Sequence, residues 1–188
     1  MNYSECIENA RTRIGNYCKA CPECNGRACK NQMPGPGAKG IGDTAIRNYD
    51  KWKEIRVQMD TIAENKPVDT SLELFGKKFL YPFFAGPVGA VGLHYGDCLD
   101  DVRYNDILVS ACAKYGIAAF TGDGLDSNVM VAATKAIGKT DGIGIPTVKP
   151  WNIDTVAEKM KMVQESNAFA VAMDVDAAGL PLDRKSVV

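Results

Sequence analysis

Cys18, Cys21, Cys24 and Cys29 sit in the segment CKACPECNGRAC with spacing C-x2-C-x2-C-x4-C. Thiolates bind soft and borderline metals, and short loops between them let successive sulfurs converge on one centre. Four such residues close together in an intracellular setting read as a metal site before they read as disulfides. The first three match the spacing of cluster-binding ferredoxin loops. A structural zinc site with four sulfur ligands is a second option, although C-x2-C pairs for zinc usually lie farther apart. A set of free or redox-active thiols is a third.

These cysteines follow a segment of helical spacing, Ser4 to Asn16, with Cys6, Ile7, Ala10 and Ile14 on one side and Ser4 as a cap. Asn31–Gly42, NQMPGPGAKGIG, is a Pro/Gly hinge. Ile55, Val57 and Met59 alternate as in a short strand. Phe79–Gly92, FLYPFFAGPVGAVG, opens as an apolar run of strand length and then shrinks to Gly86, Gly89, Ala90 and Gly92. Small residues after a buried strand let the backbone approach a flat ligand, though they also suit a tight turn with no ligand.

Helix and strand then alternate. Asn105–Gly116 has a helical stripe of Ile107, Leu108, Ala111, Cys112 and Tyr115. A short buried strand spans Ile117–Gly122. Ser127–Ile137 reads as a helix with Val129, Met130, Ala133 and Ile137 inward. Gly142–Val148 is a third strand, Ile153–Ser166 a helix with Val156, Met160 and Val163 inward, and Ala168–Asp176 a fourth strand. Such alternation argues for parallel βα units. His94, the chain's one histidine, falls in the loop after Gly92 and reads as a surface residue.

From about Asn48 to Leu182 the chain resembles the front half of the FMN-dependent α-hydroxy-acid oxidase and dehydrogenase family, whose fold is a TIM barrel. Pro87-Val88-Gly89 stands where the family's first strand ends in Pro-(Thr/Ile)-(Ala/Gly) against the flavin ring. Asp69–Gly76 resembles the family's DTS lead-in, expected as a hairpin plugging the barrel bottom, and Asp43–Asn48 its acidic-x-x-x-x-Asn stretch. Thr121 stands where the family places a flavin-contacting Ser or Thr. Asp174-Val175-Asp176 stands where it has Thr-x-Asp, so Asp176 is the implied active-site carboxylate and Asp174 replaces a flavin contact. Polar residues at the C-terminal ends of barrel strands face the active site, which adds Lys149, a cation for the flavin's N1–O2 edge.

The resemblance has departures. The family's substrate tyrosine before the barrel falls at Pro34, and its Gln-x-Tyr on the third strand, counted back from Asp176, falls at Pro146 and Val148. The resemblance implies an α/β fold, the N-terminal half of a TIM (β/α)8 barrel truncated after the fourth strand. Residues 1–47 form a Cys-rich extension with its hinge, 48–182 a partial FMN-binding barrel, and 183–188 a non-native tail whose back-translation matches a sequencing-library adapter. A barrel of this kind needs about 250 residues. The general-base histidine and the phosphate-binding segments belong to the family's back half, so the chain by itself is expected to be inactive.

The implied function is oxidation of a 2-hydroxy acid or similar small substrate by hydride transfer to FMN. A metal or iron–sulfur redox module and an isopentenyl-diphosphate isomerase-like flavin barrel are the alternatives. A net charge of −1, with 46% hydrophobic and 24% charged residues, gives no electrostatic reason for a nucleic-acid or membrane partner. The polar N-terminus MNYSECIENARTR is unlike a signal or transit peptide, which makes cytoplasm the expected compartment. The full-length form is expected to be a homo-oligomer.

Overall fold

The computed structural model describes residues 2–14, 18–29 and 44–175. These fall into two compact units, one within Met1–Val68 and Gly92–Cys98, the other within Asp69–Val91 and Leu99–Val188. The Pro/Gly hinge, Pro34, Asp176 and the tail from Asp183 lie outside the described residues.

The first unit holds α1 (Tyr3–Arg13) and α2 (Thr44–Trp52). Helix α1 starts two residues earlier than a Ser4 cap would allow, because Asn2 caps it. The Asn2 side chain accepts from the Glu5 amide at 2.9 Å while the Glu5 carboxylate takes the Asn2 N–H at 2.9 Å, a reciprocal capping box. Ile55, Val57 and Met59 form no strand: all three are exposed, and an alternating pattern without a sheet to cover its apolar face has nothing to stabilise it.

The second unit begins with an antiparallel hairpin of β1 (Leu72–Leu74) and β2 (Lys77–Phe79), as the DTS lead-in implies. Its two turn residues, Phe75 and Gly76, have φ of 49° and 75°, the positive pair that a tight two-residue hairpin needs. Phe79 is thereby buried against the rings of Phe84 and Phe169. The apolar run beyond it is not the doubly buried strand its composition suggests. Leu80, Tyr81 and Phe83 are exposed, and only Ala85 pairs, in a single parallel bridge with Ala119. Pro82 offers no N–H to a ladder and interrupts the run.

After the five-residue α3 (Val91–Tyr95), which apart from Val91 belongs to the first unit, α4 (Asp101–Lys114) begins with Asp100 as its cap. Its buried face is Asn105, Val109 and Cys112, spaced i, i+4, i+7, while Ile107 and Tyr115 of the anticipated stripe are exposed. Asn105 can enter the core because its amide donates to the Asp101 carbonyl one turn back at 2.7 Å. Next come β3 (Phe120–Thr121), α5 (Ser127–Gly138), β4 (Ile145–Val148), α6 (Ile153–Glu165) and β5 (Ala172–Met173). Asp126 and Asn152 cap α5 and α6.

Strands β3, β4 and β5 make a parallel sheet in chain order, with Phe120 opposite Ile145 and Thr147 opposite Ala172; the Ala85 bridge adds to its β3 edge. Parallel neighbours in chain order with a helix between each pair are repeated βα units, as the alternation indicates. The core lies between sheet and helices: Val109 and Cys112 of α4 meet Ala119, Ala136 and Ile137, and Met130, Val148 and Val163 form a second cluster. The inward stripe read for α5 is buried throughout. On α6 the stripe is different. Val163 is buried, but Lys159 takes the inner position and Met160 is 39% exposed. Among the described residues no helix is long and apolar enough to cross a membrane.

Candidate active site

Sheet geometry decides which side chains point away from the helices. Successive strand residues point to opposite sides. Val148 packs on α5 and α6 through Met130 and Val163, so Thr147 projects from the other face, and Lys149 follows it there. The ladder continues one step past β5, with the Asp174 N–H donating to the Val148 carbonyl at 2.9 Å. That brings the Lys149 ammonium to 3.6 Å from the Asp174 carboxylate. Pro146 and Val148 therefore lie on the helix side, and Thr147 of β4 and Lys149 just past it lie on the opposite face. The ungapped count from Asp176 thus places the family's Gln-x-Tyr on helix-side positions.

Two hydroxyls in this region are orphaned. Thr121 Oγ1 and Thr147 Oγ1 are buried and make no hydrogen bond among the described residues. Alternation from Ala119, which sits in the core against α4 and α5, puts Thr121 on the helix side, whereas Thr147 is on the opposite face. A buried hydroxyl without a partner costs roughly 1–3 kcal/mol, which a ligand's polar edge can offset.

Pro87-Val88-Gly89 reaches the same end of the sheet. A Cβ on Gly122, just past β3, would stand 2.3 Å from the Gly89 nitrogen and 2.4 Å from the Val88 carbonyl carbon. A Cβ on Gly89 would stand 2.8 Å from the Asp123 carbonyl oxygen. These glycines let the two loops cross backbone to backbone. Their smallness is used on one another, a role that the loop's composition alone did not separate from ligand approach.

Behind the sheet end lies a polar group that sequence reading missed. The Asp123 carboxylate is fully buried and takes four N–H donors. Oδ1 accepts from the Gly124 amide at 2.9 Å and from Lys159 Nζ at 2.5 Å; Oδ2 accepts from the Lys149 amide at 3.0 Å and the Trp151 indole at 2.6 Å. Lys159 Nζ also lies 5.2 Å from the Trp151 ring centroid, within cation–π range. Charge, four donors and an aromatic face together compensate the burial of both ions.

The cysteine loop belongs to the other unit. Tyr3 donates its hydroxyl to the Pro22 carbonyl at 2.5 Å and Arg11 its Nε to the Ala20 carbonyl at 3.3 Å, tying the loop to α1. Cys18, Cys21 and Cys29 are half-buried and Cys24 is exposed. Burial pushes the Cys29 thiol up, and the neighbouring thiols Cys24, Cys18 and Cys21 add smaller contributions to the rise. Among the described residues no group of three or more His, Cys, Asp or Glu is arranged to hold a metal ion.

Comparison with protein families decides the identity. The family model described as FMN-dependent dehydrogenase matches residues 35–186, most of the chain. The chain belongs to the FMN-dependent dehydrogenase family. Comparison with curated proteins gave no significant match. An FMN-dependent dehydrogenase is a flavin oxidoreductase, and the mixed α/β architecture with its parallel βα units is compatible with part of that domain. The strand ends fit a flavin. An isoalloxazine is flat, with a hydrogen-bonding pyrimidine edge that gains negative charge on reduction; Thr147 supplies a buried hydroxyl without a partner and Lys149 a cation on the same face.

Proposed function

We propose that this chain forms the isoalloxazine side of the FMN site in an enzyme that oxidises a 2-hydroxy acid or a similar small substrate. Bound FMN would supply the hydride acceptor. The observation that carries this reading is the placing of the orphaned Thr147 hydroxyl and the Lys149 ammonium on one face at the ends of parallel strands. In it, Thr147 and Lys149 hold the pyrimidine edge, Asp174 orients Lys149, and the Pro87-Val88-Gly89 backbone lies along the ring, while Thr121, on the helix side, is not among the ring contacts. Asp176 is the proposed substrate-side carboxylate.

The chain is read as the front half of a barrel, with the general-base histidine supplied by the rest of the protein. The apolar exposure of Val171, Met173 and Val175 around β5 supports this, since parallel strands are ordinarily covered on both faces. FMN titration tests the site. Replacing Thr147 with Val or Lys149 with Met should weaken binding by about 5- to 100-fold, the range of a lost neutral or charged hydrogen bond. Unchanged affinity in both variants would remove these residues from the site.

The C-x2-C-x2-C-x4-C spacing favours a second, independent proposal, that Cys18, Cys21, Cys24 and Cys29 bind an iron–sulfur cluster or zinc. Metal ligation orders a thiol loop as it binds, so convergence need not precede the ion. Protein prepared without oxygen should contain iron or zinc and lose it on Cys21→Ser or Cys24→Ser. Metal-free protein with four titratable thiols would reject the proposal.

A further inference from the structure

We infer that Asp123 is a positioning residue that sets where the Lys149 ammonium stands on the face of the sheet away from the helices. The inference rests on the proposed role of Lys149 and adds a residue to it. Strand β3 ends at Thr121, and its last register pair is Thr121 with Pro146. Beyond that point β4 has no β3 backbone to pair with. The Asp123 side chain stands in for it, since Oδ2 accepts the Lys149 N–H at 3.0 Å. The same oxygen takes the Trp151 indole, so the Lys149 backbone and the Trp151 side chain, on either side of Pro150, are held from one atom. Lys159 and the Gly124 amide hold the other oxygen, and a fully buried carboxylate with four donors has no freedom to swing.

With its amide pinned toward Asp123, Lys149 sends its side chain away from the helices, where the Asp174 carboxylate lies 3.6 Å from Nζ. On the other side of the sheet, α6 carries Lys159, the counter-ion of the clamp. Asp123 touches no reacting atom in this arrangement. It acts through Lys149.

Acylation of lysines followed by mass spectrometry tests this on FMN-free protein. Asp123→Asn alone would strand the Lys159 charge, so the comparison uses the charge-balanced double variant D123N/K159M. In wild-type protein Lys149 should react slowly, and Asp174→Asn should speed its labelling about two- to fivefold, as release from a partly exposed ion pair would. In D123N/K159M, Lys149 should already be labelled at the faster rate, with no further effect of Asp174→Asn. If the Asp123 clamp only staples α6 to the loops, the double variant will lose thermal stability while Lys149 labelling and its response to Asp174→Asn stay as in wild type, and the inference fails. Should the double variant not fold, Trp151→Phe, which keeps both charges, is the second probe: it should raise Lys149 labelling in the same direction, and no change would overturn the inference. Failure of the wild-type protein to bind FMN would count against the proposed function alone.

Discussion

The Asp123 carboxylate accepts the Trp151 indole N–H at 2.6 Å, and this bond fastens the loop after β3 to the loop after β4. Trp151→Phe keeps the ring against Lys159 but deletes the donor. The loss should be about 1–3 kcal/mol, the cost of leaving part of a buried carboxylate's hydrogen bonding unmet. Denaturant unfolding measures it, and a change within a few tenths of a kcal/mol would show that the bond is dispensable.

The crossing of Gly89 and Gly122 is equally testable. Gly122→Ala puts a methyl 2.3 Å from the Gly89 nitrogen, and that neighbour is backbone, which cannot rotate away. Destabilisation of about 1–3 kcal/mol is expected from the forced shift. Gly86→Ala is the control, because its Cβ would meet nothing within 4 Å. Equal stabilities for the two variants would contradict the close crossing.

Alkaline pH should weaken the second unit through α4. Burial pushes the Cys112 thiol up, and burial, with a smaller contribution from Cys112, pushes the Tyr104 hydroxyl up. Both groups lose their protons more readily unfolded than folded. Above the ordinary thiol value of about 8.5 the unfolded chain binds fewer protons, so stability is full below that pH and falls as pH rises through the folded value. Cys112→Ala should flatten the decline between neutral pH and the tyrosine range. An identical slope in the variant would assign the effect elsewhere.

Much of the second unit was legible in the sequence because its signals are periodic and local. The α5 stripe of Val129, Met130, Ala133 and Ile137 is buried as its spacing indicates, and the hairpin stands where the DTS lead-in implies. The illegible parts depend on neighbours distant in the chain. Lys159 is a buried residue in a helix whose polar positions should face water, and only Asp123, 36 residues earlier, makes its burial tolerable. Asp123 itself read as one acidic residue in a Gly/Asp loop. Its one local signal was its flanking by Gly122 and Gly124, which leaves room for a side chain to turn inward. Thr147 drew no attention in the sequence, because the count from Asp176 looked for the family's polar pair at Pro146 and Val148, which pack on the helix side.

Flavin reduction tests the central claim most directly. The protein encoded at the native locus, purified with FMN and mixed without oxygen with a panel of 2-hydroxy acids, should lose its oxidised-flavin absorbance with at least one of them. Lys149→Met should slow that loss by roughly tenfold or more, since a fixed charge beside developing flavin charge contributes a few kcal/mol. Protein without flavin, flavin that no 2-hydroxy acid reduces, or reduction at the wild-type rate in Lys149→Met would each contradict the reading.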